Sequence, residues 1–268
     1  MNYYKAILQY DGTNYFGFQW QKDIPTIQDT LNQSLAKLIG GKITTMGASR
    51  TDTGVHALEQ FVKISCENEI DCDHLITELN KSLSPQVKCL SLVPCEGTFK
   101  PAMDSVSKEY RYLFTNISQT NCSDQKFITN NPFSLDFDLM KKCAEMMVGE
   151  HDFKNFYSTA SDIKTTTRDI LLCELSEIDP HTVLPQIDLF LLPQDLRRCY
   201  QLRIVGNGFL KQMVRHIMSA IWAVGRGKIS LEEFSSLLNG PKQEKKFWKV
   251  ASPRGLYLYK INTSKGVF

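Results

Sequence analysis

Apolar residues recur along this chain with two alternating periods, and the switches between them predict its elements. Tyr4 to Tyr10 reads as a strand followed by a turn at Asp11-Gly12. Thr26 caps a helix with Asp29 three residues on. Ile27, Leu31, Leu35, Leu38 and Ile39 mark its apolar face, and Gly40-Gly41 end it. Gln60 to Ser65 is a second strand. Asp73 opens a helix with Leu75, Leu79 and Leu83 on one side, stopped before Pro85, and Val87 to Val93 is a strand. The pattern then begins again. Glu109 to Thr115 predicts a strand, Leu139 to Val148 a helix closed by Gly149, and Asp169 to Glu174 and Cys199 to Val205 two further strands. Met213 to Val224 is a strongly apolar helix, Ser230 with Glu233 forms a capping box for a short one, and Leu256 to Ile261 is the last strand. This order predicts an α+β fold of two tandem α/β units with mainly antiparallel sheets, helices on one face and an active cleft between the units. The boundary is expected near Pro101 to Ser107, giving units over 1–103 and 104–268.

Composition narrows the class. The longest apolar stretch, Ile217 to Gly225, is about half of what a membrane span needs. The opening Met1 to Lys5 is already strand-like and lacks a signal peptide's apolar region, so a cytoplasmic, non-membrane location is expected. Eight cysteines (66, 72, 89, 95, 122, 143, 173, 199) form no C-x-x-C pair, and with five dispersed histidines they show no zinc-type spacing. Reduced, mostly buried thiols and no metal are expected. The formal net charge of +2 conceals an asymmetry: residues 197–268 hold 14 Lys+Arg against 3 Asp+Glu, whereas 1–196 hold 17 against 26. A basic surface on the C-terminal third suits a polyanionic partner.

The candidate chemistry sits in Gly47-Ala-Ser-Arg-Thr-Asp-Thr-Gly-Val-His-Ala57. Arg50 can pair with Asp52 and keep it ionised, and Gly54 permits a turn that pushes the carboxylate into the open. So held, Asp52 is a nucleophile or a general base; the plainer reading is a charged turn between strands. Arg215 stands in an apolar helix, where burial is costly without a partner. Tyr110 alternates with Tyr112 and Phe114 as strand core does. His56 and His216 read as structural histidines, and Met213, Met218 and Trp222, at helical spacing, as core.

Four ordered segments make the chain resemble the TruA-type tRNA pseudouridine synthases from about Tyr4 to about Tyr259. They are Tyr10-Asp-Gly-Thr-Asn-Tyr-Phe-Gly-Phe-Gln19, Arg50-Thr-Asp-Thr-Gly-Val-His56, Lys108-Glu-Tyr-Arg-Tyr112 and Gly206-Asn-Gly-Phe-Leu-Lys-Gln-Met-Val-Arg215, supported by Gly255-Leu-Tyr-Leu258. The resemblance implies that Asp52 is the catalytic nucleophile, that Arg215 pairs with it, that Arg50 holds or displaces the target nucleotide, and that Tyr110 stacks on the target base. It implies a homodimer acting on tRNA without a cofactor, at uridines 38 to 40 of the anticodon arm. Ser49 and Thr53 replace the usual Gly and Ala, and Phe18 a usual Trp. Ala102 stands where the family has an arginine, which Lys100 replaces in part. The connection from Asp179 to Arg198 is long and carries the apolar run Ile187 to Leu192, read either as a partner surface or as an extended hairpin. Two rival classes are a catalytically silent RNA-binding protein on this scaffold and a retaining glycosidase, which needs a second carboxylate that only Glu59 offers nearby.

Overall fold

The computed structural model describes residues 1–116, 126–159, 163–184, 190, 192, 196, 198–244 and 248–263. In chain order these form β1 (Asn2–Tyr10), α1 (Ile27–Ile39), β2 (Ile43–Gly47), β3 (His56–Cys66), α2 (Cys72–Ser82), β4 (Val87–Pro94), β5 (Ser105–Thr115), β6 (Thr129–Asn130), α3 (Phe137–Met146), β7 (Gly149–Asp152), β8 (Thr167–Ile178), β9 (Cys199–Gly206), α4 (Met213–Gly225), α5 (Leu231–Asn239) and β10 (Leu256–Thr263). The fold is α+β with mainly antiparallel strand pairs, as the pattern predicts. Of the long 179–198 connection, Pro180–Thr182 is a single 3-10 turn, and most of the apolar run from Ile187 lies outside the described residues. Among the described residues no helix is long and apolar enough to cross a membrane.

Packing divides the chain into two units, Met1–Val106 with the segment from Tyr257, and Ser107–Leu256. The break lies between Val106 and Ser107, and the last strand is grouped with the first unit. Its backbone is claimed by β3: Tyr257 pairs with His56 and Leu258 with Ala57, in parallel. Nothing in the local pattern of Leu256 to Ile261 announces so distant a partner.

In the first unit β1 lies between β3 and β4, antiparallel to both. Tyr4, Ala6, Leu8 and Tyr10 of β1 are buried while Tyr3, Lys5 and Ile7 are half-buried, the period-2 signature of a sheet covered more fully on one face. The other edge of β3 is shared. β2 pairs antiparallel with its end, Gly47 opposite Val62 through Ile43 opposite Cys66, and β10 takes its beginning. β2 escaped the sequence reading because none of its five residues is buried and it has no apolar face to reveal it. α1 begins as predicted, with the Thr26 hydroxyl accepting from Asp29 N. α2 is capped by Asp71 rather than Asp73, because the Asp71 carboxylate reaches two backbone N–H groups, those of Asp73 and His74.

The second unit orders its strands β5-β9-β8-β7, all antiparallel, with β6 parallel to β5. α3 starts earlier than its apolar pattern, at an Asp136 cap, and Gly149 (φ +107°) opens β7 instead of closing the helix. α4 is buried along its length except at Trp222, so its polar members, Arg215 and His216, need partners inside the protein. The capping box of α5 is complete: Glu233 N donates to Ser230 Oγ at 3.1 Å and Ser230 N to Glu233 Oε2 at 2.6 Å. Ser230→Ala removes one half of that exchange and should cost about 1 kcal/mol. The expected drop in Tm is about 2–4 °C by calorimetry; an unchanged Tm would show that packing of Phe234, Leu237 and Leu238 alone sets the helix.

A carboxylate loop and a buried arginine

Residues 48–55 bridge the point where β3 passes from one outer neighbour to the other, and the loop is fastened at nearly every step. Ala48 N donates to Phe61 O at 2.8 Å, extending the β2 pairing by one residue. The fully buried Gln60 side chain then grips Ser49 twice, accepting from its N–H at 3.1 Å and donating to its carbonyl at 2.6 Å. Thr51 Oγ1 lies 2.8 Å from Tyr10 Oη, and Thr51 O accepts from Phe18 N at 3.2 Å. A turn closes on Asp52, whose carbonyl accepts from Val55 N, and Gly54 N donates to Tyr15 O. Gly54 has φ +75°, the conformation the motif called for. Gly17 faces the loop with φ +94°, and a Cβ there would stand 2.5 Å from Thr51 O. The loop and the 15–18 segment touch backbone to backbone.

Within this frame Thr51 is buried, Asp52 is half-buried, and Arg50 and Thr53 are exposed. The two small residues at 49 and 53 fit the loop, and Phe18, in place of a larger ring, is fully buried. Lys100 and Ala102 are both exposed.

Just behind the loop lies a buried polar pair that the sequence showed only as a turn. His56 Nδ1 stands 3.2 Å from Asp11 Oδ1 and 3.1 Å from Gly12 N. Carrying a proton, that nitrogen donates to the carboxylate; without it, it accepts from Gly12. A buried carboxylate needs donors, which favours the first arrangement. The His56 ring is fully buried and stacks on Tyr257 of β10, with centroids 4.9 Å apart. Burial alone pushes Asp11 up, but the His56 ring, the Thr13 hydroxyl and the Thr13 N–H outweigh it and hold the carboxyl at about 2. The sequence signal for Asp11 is the Asp-x-Thr spacing, which is realised as an Asx-type turn with Thr13 N donating at 2.9 Å.

In the second unit the Lys108–Tyr112 motif splits its side chains between the faces of β5. Glu109 and Arg111 share one face, where Arg111 Nε donates to Glu109 at 2.7 Å and Arg203 from β9 adds contacts at 2.9 and 3.2 Å. Burial raises the Glu109 carboxyl, but the Arg203 and Arg111 bonds overcome it and hold it below its ordinary range. On the other face burial lowers the Lys108 ammonium, and Tyr110, itself buried, packs against Phe209 with centroids 4.9 Å apart at 73°. Arg215, 9 % exposed in the first turn of α4, donates from Nε to Ala251 O at 2.7 Å. Met213 and Met218 are core, as read, and Trp222 packs edge-on against Tyr112 and Phe114. Both histidines read as structural are buried and bonded.

Among the described residues no three His, Cys, Asp or Glu side chains cluster as a metal site. The first unit thus carries a carboxylate on a backbone-locked loop, and the second a buried arginine and an aromatic strand, kinds of side chain that enzymes use. Comparison with known proteins makes the class specific. The profile of a family described as tRNA pseudouridine synthase matches residues 6–101 and 143–263. The chain is 34 % identical over 276 residues to tRNA pseudouridine synthase A 2 of Desulfotalea psychrophila, covering 99 % of this chain and all of that one. It is 32 % identical to tRNA pseudouridine synthase A of Acetivibrio thermocellus, over 96 % of this chain and 98 % of that one. The like-named protein of Pseudothermotoga lettingae is 31 % identical, over 98 % and 100 %. The chain belongs to the tRNA pseudouridine synthase family, a family of isomerases.

The Asp11 site makes a pH-dependent prediction. A carboxyl held at about 2 in the fold and near 4 when unfolded contributes stability above pH 4 that is lost as pH falls through 2. The stability gap between wild type and Asp11→Asn, read from urea melts, should therefore be widest at neutral pH and narrow between pH 4 and 2.5. A gap independent of pH would remove the ionised carboxylate from the argument.

Proposed function

We propose that this chain isomerises uridine to pseudouridine in tRNA, at positions 38 to 40 of the anticodon arm, with Asp52 as nucleophile. The reaction breaks the N1–C1′ bond, turns the uracil and joins C5 to C1′; C5 gives up a proton and N1 gains one. Product and substrate have the same atoms and oxidation state, so the balance calls for no redox partner or group donor. The Asp52 carboxylate works either by attacking the base or by acting at the sugar, and a rigid mount serves both routes.

The observation that carries this reading is the locked loop: Gln60, Phe18 and Tyr15 hold the backbone around Asp52 and Tyr10 holds the Thr51 hydroxyl, yet the Asp52 side chain is only half-buried. A turn that merely joined two strands has no need of a buried amide clamp. In the proposal Arg215 pairs with Asp52 and keeps it ionised, Arg50 holds or displaces the target nucleotide from its exposed position, and Tyr110 stacks on the target base. Taking that base from its stack costs a few kcal/mol, which an aromatic face returns in part. The excess of 14 basic over 3 acidic residues in 197–268 suits a polyanion. A homodimer working in the cytoplasm completes the proposal, and a monomer by sedimentation would overturn that part of it.

The deciding experiment maps pseudouridine on an unmodified tRNA transcript with wild type and Asp52→Asn in parallel. Signal at 38 to 40 in wild type alone is expected, with tRNA binding by the variant nearly unchanged; residual turnover in the variant refutes the nucleophile. In the same assay Tyr110→Phe should keep most activity and Tyr110→Ala lose it, whereas equal losses would assign the role to the hydroxyl.

A further inference from the structure

A pocket of about 580 Å³ opens in the second unit, bordered by Lys154, Tyr157, Ser158, His216, Lys242 and Trp248, with Lys249 and Glu244 at its margin. That volume lies within the range of small-ligand sites, about 300–1,000 Å³. Its walls are built from inside. Asn155, 2 % exposed, donates to Leu237 O at 2.9 Å and Pro241 O at 3.2 Å and accepts from Gln243 N at 2.8 Å, fastening the loop after α5 that carries Lys242. Phe156, fully buried, lies against Trp248 with centroids 6.0 Å apart and planes at 24°.

A directed hydrogen-bond chain links three of the lining side chains. The Trp248 indole is a donor only and stands 3.3 Å from His216 Nδ1, so Nδ1 is the acceptor and the ring proton is on Nε2. Nε2 then donates to Ser158 Oγ at 3.0 Å, and Ser158 donates to Gln212 Oε1 at 2.5 Å. Gln212 is held at φ +58° at the start of α4, a conformation uncommon outside glycine. Arg215 and His216, consecutive on α4, thus fasten the same short segment at Ala251 and Trp248.

The charges are asymmetric. Lys154 is paired with Asp152 at 3.0 Å, but among the described residues Lys242 and Lys249 form neither ion pair nor hydrogen bond, against the single acid Glu244. A half-buried indole backed by a phenyl ring, polar lining groups and two ammonium groups outside any ion pair among the described residues match one ligand chemistry: a flat base with a phosphate attached. We propose that this pocket is a second RNA-binding subsite. It takes a nucleotide other than the target uridine, base against Trp248 and phosphates on Lys242 and Lys249. The proposal rests on RNA being the substrate, as set out under the proposed function, and adds a position where that RNA is held. Because Trp248 and Ala251 belong to one segment, occupancy of the subsite also bears on the Arg215 guanidinium.

Equilibrium binding of a labelled unmodified tRNA transcript, over a salt series, tests it. Lys242→Ala/Lys249→Ala should bind about tenfold more weakly near physiological salt, and the slope of log affinity against log salt should fall by up to about 2, at roughly 0.7–0.9 per phosphate contact. Glu244→Gln should tighten binding two- to threefold, roughly what loss of one like-charge repulsion at a screened surface provides. Trp248→Phe should bind nearly as wild type, and Trp248→Leu about tenfold more weakly. Unfolding melts confirm that each variant is folded. Unchanged affinity and salt slope in the double lysine variant, or equal binding by the two Trp248 variants, overturns the subsite. Pseudouridine formation by wild type on the same transcript separates the two readings. Turnover with unaltered binding by the pocket variants removes the subsite alone. Absence of turnover removes the proposed function, while the binding series still decides the subsite.

Discussion

Strand β3 has more edge than one neighbour can use, and the first unit is arranged around that constraint. Its inner edge is satisfied by β1 from Asn2 opposite Cys66 to Tyr10 opposite Ala57. The outer edge passes from β10 at His56 and Ala57 to β2 at Val62 through Cys66. Unpaired backbone groups are costly when buried, so the chain crossing that interval must supply bonds of its own. Residues 48–55 do so through Phe61, Gln60, Tyr15 and Phe18. The same requirement that closes the sheet edge therefore immobilises the backbone on either side of Asp52. Rigidity of the carboxylate mount is a consequence of strand pairing rather than a separate feature.

Buried polar groups carry the second tier of organisation. Asp11 and His56 satisfy one another beneath Tyr257, and Gln60 spends its amide on Ser49. In the other unit Glu109 is met by two arginines, Arg215 by a carbonyl, and His216 by an indole and a hydroxyl. Each of these groups would cost a few kcal/mol if stranded without its partner. Apart from Arg111, two residues from Glu109, the partners come from other segments of the chain, so these bonds report the tertiary fold and tighten it in return.

That distribution explains what could be read in the sequence and what could not. The apolar spacing from Ile27 to Ile39 with its Thr26 cap, and the Ser230–Glu233 box, are local devices, and the elements stand where the pattern put them. β2 has no buried face and left no periodic trace, and Gly149 carries a conformation equally suited to stopping a helix or starting a strand. The return of β10 to the first unit depends on a partner two hundred residues away, which local pattern does not encode. At the site, Asp52 and Gly54 were legible because a loop motif is contiguous. Asp11, Gln60 and Trp248 were not, because nothing beside them in the chain hints at His56, Ser49 or His216 as neighbours in space.

The two halves of the candidate chemistry are therefore held by different physics. Asp52 is placed by backbone hydrogen bonds, which resist displacement in all directions and leave the side chain to act. Arg215, on the buried helix α4, donates from Nε to Ala251 O. That bond ties the guanidinium to the segment that holds its acceptor. That segment is anchored in turn by Trp248, through His216 and Ser158 to Gln212. An arginine fastened to a loop is a natural point for substrate contacts to act on, whereas a carboxylate fastened to a sheet edge is not. The difference follows from where each polar group found its partner: along a sheet edge for the Asp52 loop, and in the 248–251 segment for Arg215 and His216.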